Sequence, residues 1–101
     1  MSKIKIALGQ LLVEGGEPER NFDRALKLIS EAKNNGSDLI ILPECMDFGW
    51  THPSSLTEAK FIPGEFSDIL CNEAKKNEIF ICAGLSEKNP EGGQNFNTAL
   101  L

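Results

Sequence analysis

A glutamate at the end of an apolar run is the residue of this sequence best suited to chemistry. Residues 39–42 are four consecutive apolar side chains, and Pro43 and Glu44 follow them directly. Such a run is typical of a buried strand, and many α/β enzymes bind their ligands where buried strands end. A carboxylate there can serve as a general base, most readily if burial favours its protonated form. The alternative is a solvated glutamate at the start of a loop, and the residues alone leave both open.

Two aromatic residues follow the glutamate closely. Phe48 and Trp50 flank Gly49, and aromatic side chains beside a catalytic base often form the wall of a substrate pocket. We therefore predict that Phe48 and Trp50 line such a pocket, with simple packing as the alternative. His52 lies in a loop rich in proline and serine and is expected to be exposed rather than catalytic.

The three cysteines do not suggest a disulfide framework or a metal site. Cys45, Cys71 and Cys82 are odd in number, form no CxxC pair and share the chain with a single histidine, a pattern that fits a reducing cytosol. Cys45 is adjacent to Glu44, but neighbouring side chains of an extended segment point in opposite directions. We therefore do not expect Cys45 to be a nucleophile paired with Glu44, and we expect Cys82 to be a buried small hydrophobe. No metal or organic cofactor is predicted.

Hydrophobic periodicity predicts the elements that position these residues. Residues 3–8 and 39–42 read as strands, and between them Asn21 is a plausible N-cap for a helix that stops at Gly36. A loop over residues 43–60 leads to a second amphipathic helix around residues 66–74. A buried strand at 79–85, a turn at 89–93 and a last apolar stretch at 96–101 complete the pattern. This alternation of strands and helices is typical of an α/β layer fold.

Bulk composition narrows the class of protein. The 101 residues allow one domain, and the net charge of −5 comes from acids and bases that are intermixed, which argues against a nucleic-acid partner. No apolar stretch approaches the ~18 residues of a membrane span, and the first ten residues do not resemble a signal peptide. We therefore expect a cytoplasmic protein with no membrane association. A nucleotide-binding doubly wound domain is disfavoured because no glycine-rich turn follows the first strand.

Several segments, in order, resemble one known family. Residues 6–10, Asn21, a helix ending at residues 31–32, and residues 36–44, 62–64, 83–87 and 97–99 are similar to the opening of the nitrilase, or carbon–nitrogen hydrolase, superfamily. No single segment is unique, but their order and spacing are specific. The chain also stops within an apolar stretch at Leu101. We therefore expect residues 1–101 to be the N-terminal portion of one carbon–nitrogen hydrolase domain, truncated at its C-terminus.

The resemblance implies a fold and a reaction. Members of this superfamily form an α-β-β-α four-layer sandwich and act on non-peptide carbon–nitrogen bonds of small amides, nitriles or carbamoyl compounds. They use a glutamate base, a lysine and a cysteine nucleophile, and of these Glu44 alone has a counterpart here. The resemblance thus implies a homo-oligomeric hydrolase as the parent protein and an inactive isolated chain. It also implies a structural, buried role for Asn97. The alternative is a non-catalytic binding or scaffold module of nitrilase-like fold.

Overall fold

The described residues form a four-stranded mixed sheet with helices against one face. A computed structural model describes residues 2–101. The strands are β1 (Ile6–Leu8), β2 (Leu39–Ile41), β3 (Phe80–Glu87) and β4 (Phe96–Leu100), and the helices are α1 (Pro18–Asn34), α2 (Ser54–Thr57) and α3 (Glu65–Asn77). The strands lie in sequence order, with β1, β2 and β3 parallel and β4 antiparallel to β3. The predicted α/β class is confirmed.

The core lies between the sheet and the two longer helices. Ile40 and Ile81 are opposite each other in β2 and β3 and are both buried. Helices α1 and α3 contact each other through the rings of Phe22 and Phe66, whose centroids are 4.8 Å apart. Alternate residues of each strand share a face, so this face of the sheet and the apolar stripes of the helices form one continuous core.

The opposite face of the sheet is apolar and exposed. Strand residues next to the buried ones point to this opposite face. Four of them are large, hydrophobic and exposed: Ile6, Leu8, Ile41 and Phe80. Leu8 is 69% exposed and Phe80 is 66% exposed. Strands that are apolar on both faces are typical of sheets covered on both sides. The described residues thus contain one helical layer and one sheet layer, as expected for half of a four-layer sandwich.

The first helix differs from its predicted start. Helix α1 begins at Pro18, a residue that suits the first turn because its missing N–H would have no partner inside the helix. Asn21 therefore lies within the helix and is not its N-cap, and its side chain is completely buried. The end of the helix is close to the prediction, since Gly36 adopts φ +79° just after it.

The loop between β2 and α3 is more structured than predicted. Residues 44–48 form a turn, and the short helix α2 follows. Strand β3 continues two residues beyond the predicted 79–85 and pairs with β4 over this extension. Within residues 2–101 there is no helix of the length and hydrophobicity needed to cross a bilayer.

Candidate active site

Glu44 opens a turn that is attached to β3 by the backbone. The Gly84 N–H donates to the Pro43 carbonyl at 3.1 Å, and the Met46 N–H donates to the Gly84 carbonyl at 3.0 Å. A Cβ atom at Gly84 would lie 2.3 Å from the Glu44 Cα and 3.0 Å from the Cys45 nitrogen. The turn packs directly against the strand because residue 84 has no side chain. Glu44 is thereby placed where the parallel strands end.

The Glu44 carboxylate is exposed and bonded to β4. Asn97 Nδ2 donates a hydrogen bond to Glu44 Oε2 at 3.0 Å. Residues 2–101 do not bury this carboxylate, because the turn directs the Glu44 side chain outward. Asn97 is also exposed within residues 2–101, and its burial in the whole protein stays a prediction. Its amide bonds to side chains of the turn.

Cys45 is the buried member of the adjacent pair. Its backbone is left-handed, with φ +48°, and its Sγ donates to Asn97 Oδ1 at 3.6 Å. The expectation that Cys45 faces away from Glu44 assumed an extended segment, and the turn brings both side chains to the same amide. Burial raises the pKa of the Cys45 thiol above its ordinary 9.0, although a hydrogen bond with Ser86 opposes the rise. The thiol therefore stays protonated at neutral pH, which supports excluding it as a nucleophile.

The buried carboxylate at this end of the sheet is Asp47, which sequence reasoning missed. Its side chain is completely buried and accepts the N–H groups of Phe48 at 2.8 Å and Ser86 at 3.0 Å. Asn21 Nδ2 donates to the Asp47 carbonyl at 2.9 Å and to the Glu14 carbonyl at 2.9 Å. These bonds connect the turn to both β3 and α1. An aspartate in a loop carries no signature of burial, so the sequence contained no local signal of this network.

Asp47→Asn is expected to destabilise the fold most at acid pH. Burial raises the pKa of the Asp47 carboxyl above its ordinary 3.8, against opposing backbone hydrogen bonds. The folded protein holds the proton of the Asp47 carboxyl group more tightly than the unfolded protein does. The stability that Asp47 contributes is therefore fully present below pH 3.8 and is lost as pH rises through the raised pKa. The amide NH2 cannot accept the second backbone N–H, a loss of about 1–3 kcal/mol. Urea unfolding should show that the variant's free energy of unfolding falls further below that of the wild type at pH 4 than at pH 7.

The matched control for this variant is Asp23→Asn on the exposed side of α1. Its stability should differ from the wild type by less than about 0.5 kcal/mol at both pH values. A deficit for Asp47→Asn that grows between pH 4 and pH 7 would contradict the prediction.

The structure separates the two aromatic residues predicted to line a pocket. Trp50 is 64% exposed and, together with Cys45 and Asn97, lines a cavity of about 190 Å³. Phe48 is 2% exposed and belongs to the core, with its ring centroid 5.7 Å from that of Phe66. The pocket role predicted for Phe48 is therefore corrected to a packing role, because the turn directs this ring inward. Trp50 remains a candidate pocket residue.

Other residues considered for chemistry lie apart from this turn. His52 is exposed and bonds through Nδ1 to Ser54 Oγ at 2.8 Å. Cys71 is exposed on α3, and Cys82 is half-buried rather than buried as expected, because it lies on the open face of the sheet. A larger, mostly apolar cavity of about 390 Å³ lies at the other end of β3; Cys71 is among the residues that line it, but Glu44, Phe48 and Trp50 are not. Across residues 2–101, no cluster of three or more His, Cys, Asp or Glu side chains is arranged to hold a metal ion.

Comparisons with known proteins identify the family of this chain. The family model for carbon–nitrogen hydrolases matches residues 5–101. The chain is 34% identical over 102 residues to a nitrilase from Pyrococcus abyssi and 36% identical over 103 residues to omega-amidase NIT2-A from Xenopus laevis. These matches cover 97% and 100% of the chain but only 38% and 36% of the two relatives, so the chain spans less than two fifths of their length.

A solved structure of similar fold extends the comparison. XC1258 from Xanthomonas campestris, a CN-hydrolase superfamily protein, superimposes with a TM-score of 0.84 at 23% identity. The match covers 98% of the chain and 36% of that protein. At this identity the likeness concerns the fold, which is that of the nitrilase superfamily. The match of the family model over residues 5–101 shows that the chain belongs to the carbon–nitrogen hydrolase family.

Proposed function

We propose that the whole protein hydrolyses non-peptide carbon–nitrogen bonds of small molecules and that Glu44 is its general base. The observation that carries this proposal is the placement of Glu44. Pro43 and Met46, which flank it in the turn, are hydrogen-bonded to the backbone of Gly84, and the Glu44 carboxylate projects outward at the end of the parallel strands. Ligands of α/β sheets bind at this end. A fixed backbone with an accessible carboxylate is what a proton-accepting group requires.

The proposed reaction proceeds through an acyl-enzyme. A cysteine thiol transfers its proton to Glu44, and the sulfur attacks the carbonyl carbon of an amide. The tetrahedral intermediate, stabilised by a lysine, collapses with loss of ammonia or an amine that takes up the proton. Glu44 then takes a proton from water, whose oxygen attacks the acyl carbon; the carbon–sulfur bond breaks, the acid leaves and the thiolate recovers the proton from Glu44. The lysine and the cysteine are proposed to come from the part of the whole protein that residues 1–101 do not include, so the isolated chain is expected to be inactive.

The exposure of Glu44 constrains this proposal. A carboxylate exposed to water is a weak base at neutral pH, and removal of water raises its basicity. We therefore propose that other parts of the whole protein cover Glu44 and, together with Trp50, close a substrate pocket over the cavity beside Asn97. The open apolar face of the sheet beneath supports the presence of further packed structure.

The substrate class is proposed from the relatives. One is described as a nitrilase and the other as an omega-amidase, and both names refer to carbon–nitrogen bonds outside peptides. We propose a small amide, nitrile or carbamoyl compound as the substrate. Self-association of the whole protein and a cytoplasmic location stay predictions, and sedimentation of the whole protein would test the first of them.

The test is turnover by the whole protein, supplied with a simple carboxamide, an aliphatic nitrile and a carbamoyl compound in parallel. We expect ammonia release from at least one of them. Hydroxylamine added to an amide reaction should divert the product to a hydroxamate, because an acyl-enzyme can transfer its acyl group to this nucleophile. Absence of turnover on all three classes by a folded protein would instead favour the non-catalytic binding or scaffold module.

A further inference from the structure

One amide side chain reaches across from β4 to two consecutive residues of the turn. Asn97 Nδ2 donates to Glu44 Oε2 at 3.0 Å, and Asn97 Oδ1 accepts from Cys45 Sγ at 3.6 Å. We propose that Asn97 is a positioning residue that fixes the direction of the Glu44 carboxylate, with Cys45 fixing the direction of the Asn97 amide in turn. This inference rests on the proposed function, because it gives Glu44 the role of base.

Glu44 needs such a contact because its backbone and its side chain are restrained differently. The bonds to Gly84 fix the turn, but the exposed side chain of a glutamate still has several rotamers. Among the side-chain hydrogen bonds of residues 2–101, the one that reaches the Glu44 carboxylate comes from Asn97. The contact therefore selects the direction of the carboxylate.

Cys45 gives the amide its orientation. A protonated thiol can donate to Asn97 Oδ1, and this leaves Nδ2 to face Glu44. Burial raises the pKa of the Cys45 thiol, so the proton is retained at neutral pH. If the amide were rotated by 180°, its oxygen would face the carboxylate and its NH2 would face the thiol proton. That arrangement sets one hydrogen-bond acceptor against another and one donor against another, so the observed orientation is the favourable one.

The strand that carries Asn97 is itself well anchored. Asn97 is paired with Ser86 in the antiparallel register of β3 and β4, and the Ser86 N–H donates to the buried Asp47 carboxylate. The next residue of β4, Thr98, points to the opposite face, where its hydroxyl donates to Glu87 Oε1 at 2.8 Å. Replacement of Thr98 by valine is therefore a matched control, because it also removes one hydrogen bond that a side chain of β4 donates to a carboxylate.

The kinetic test compares Asn97→Leu, Asn97→Asp and Thr98→Val in the whole protein. Asn97→Leu should lower kcat/KM about ten- to a hundredfold, the usual effect of losing a hydrogen bond to a charged group. Asn97→Asp places a second carboxylate beside Glu44, so the acid limb of the kcat/KM profile should move up by about one pH unit or more. Thr98→Val should leave that limb in place. Activity losses in both Asn97 variants with an unmoved acid limb would indicate a merely structural role and overturn the inference.

The proposed function and this inference fail in different ways. If Glu44→Gln retains turnover, the general-base role fails whatever the Asn97 variants do. If Glu44→Gln is inactive and the Asn97 variants keep the wild-type acid limb, only the positioning role fails.

A second measurement decides the case if the Asn97 variants do not fold or the whole protein shows no turnover. In protein labelled at asparagine nitrogen, the Asn97 side-chain NH2 signals should shift with pH as the neighbouring carboxylate titrates. The same signals should lose this dependence in Glu44→Gln. Signals that do not respond to pH in the wild type, or that respond equally in Glu44→Gln, would overturn the inference.

Discussion

Glu44→Gln is expected to lower kcat of the whole protein for amide hydrolysis by at least about 100-fold, the lower end of the contribution of a general base. Glutamine keeps the length of the side chain and an oxygen that can accept the bond from Asn97 Nδ2. The turn should therefore fold normally while the proton acceptor is lost. Steady-state kinetics at neutral pH, with thermal unfolding recorded in parallel, measure both effects.

The matched control is Glu58→Gln. Glu58 is an exposed glutamate directly after α2 and caps that helix through its backbone N–H rather than its side chain. Its replacement should leave kcat within about twofold of the wild type, as is usual for a surface substitution. A Glu44→Gln variant that retains more than a tenth of wild-type turnover would show that another group removes the proton.

Gly84→Ala is expected to reduce both stability and turnover through a single methyl group. The added Cβ would lie 2.3 Å from the Glu44 Cα, and a backbone atom cannot rotate away as a flexible side chain can. Relief of the overlap requires β3 or the turn to shift, at a cost of about 1–3 kcal/mol for overpacking. A shift of about 1 Å at a catalytic group lowers turnover about 100-fold. Urea unfolding and kcat of the whole protein measure the two effects.

Gly92→Ala makes the same chemical change where there is space. Gly92 lies in the turn between β3 and β4 with φ +81°, and no atom lies within 4 Å of an added Cβ. Its replacement should cost about 1–2 kcal/mol from the left-handed backbone alone and leave kcat unchanged. Equal turnover in the two alanine variants would mean that the contact between Gly84 and Glu44 does not position the base.

The pattern of apolar residues predicted the layers of the fold well. The apolar run at residues 39–42 became β2, and the periodic residues from Phe22 to Ala32 became the buried stripe of α1. Gly36 ended that helix as expected. These features are local consequences of burial and backbone conformation, which the sequence expresses directly.

The site was predicted less completely because its contacts join distant residues. Asn97 lies 53 residues after Glu44, and no local pattern indicates that its amide reaches that carboxylate. The left-handed conformation of Cys45 was also unexpected, since a non-glycine residue seldom adopts it. The turn that contains it, residues 44–48, directs Phe48 into the core and the Cys45 thiol towards Asn97. Asp47 was missed for the same reason, because its partner Ser86 lies on another strand.

The hydrogen bond between Glu44 and Asn97 has a consequence for synthesis on the ribosome. Strands β1 and β2 and the turn after them are made first, and β3 can attach to this turn through Gly84 before β4 exists. The carboxylate gains its amide partner only when residue 97 has also left the exit tunnel. Nascent chains stopped before β4 should therefore contain the turn without an oriented Glu44, and emergence of the hairpin completes this part of the site.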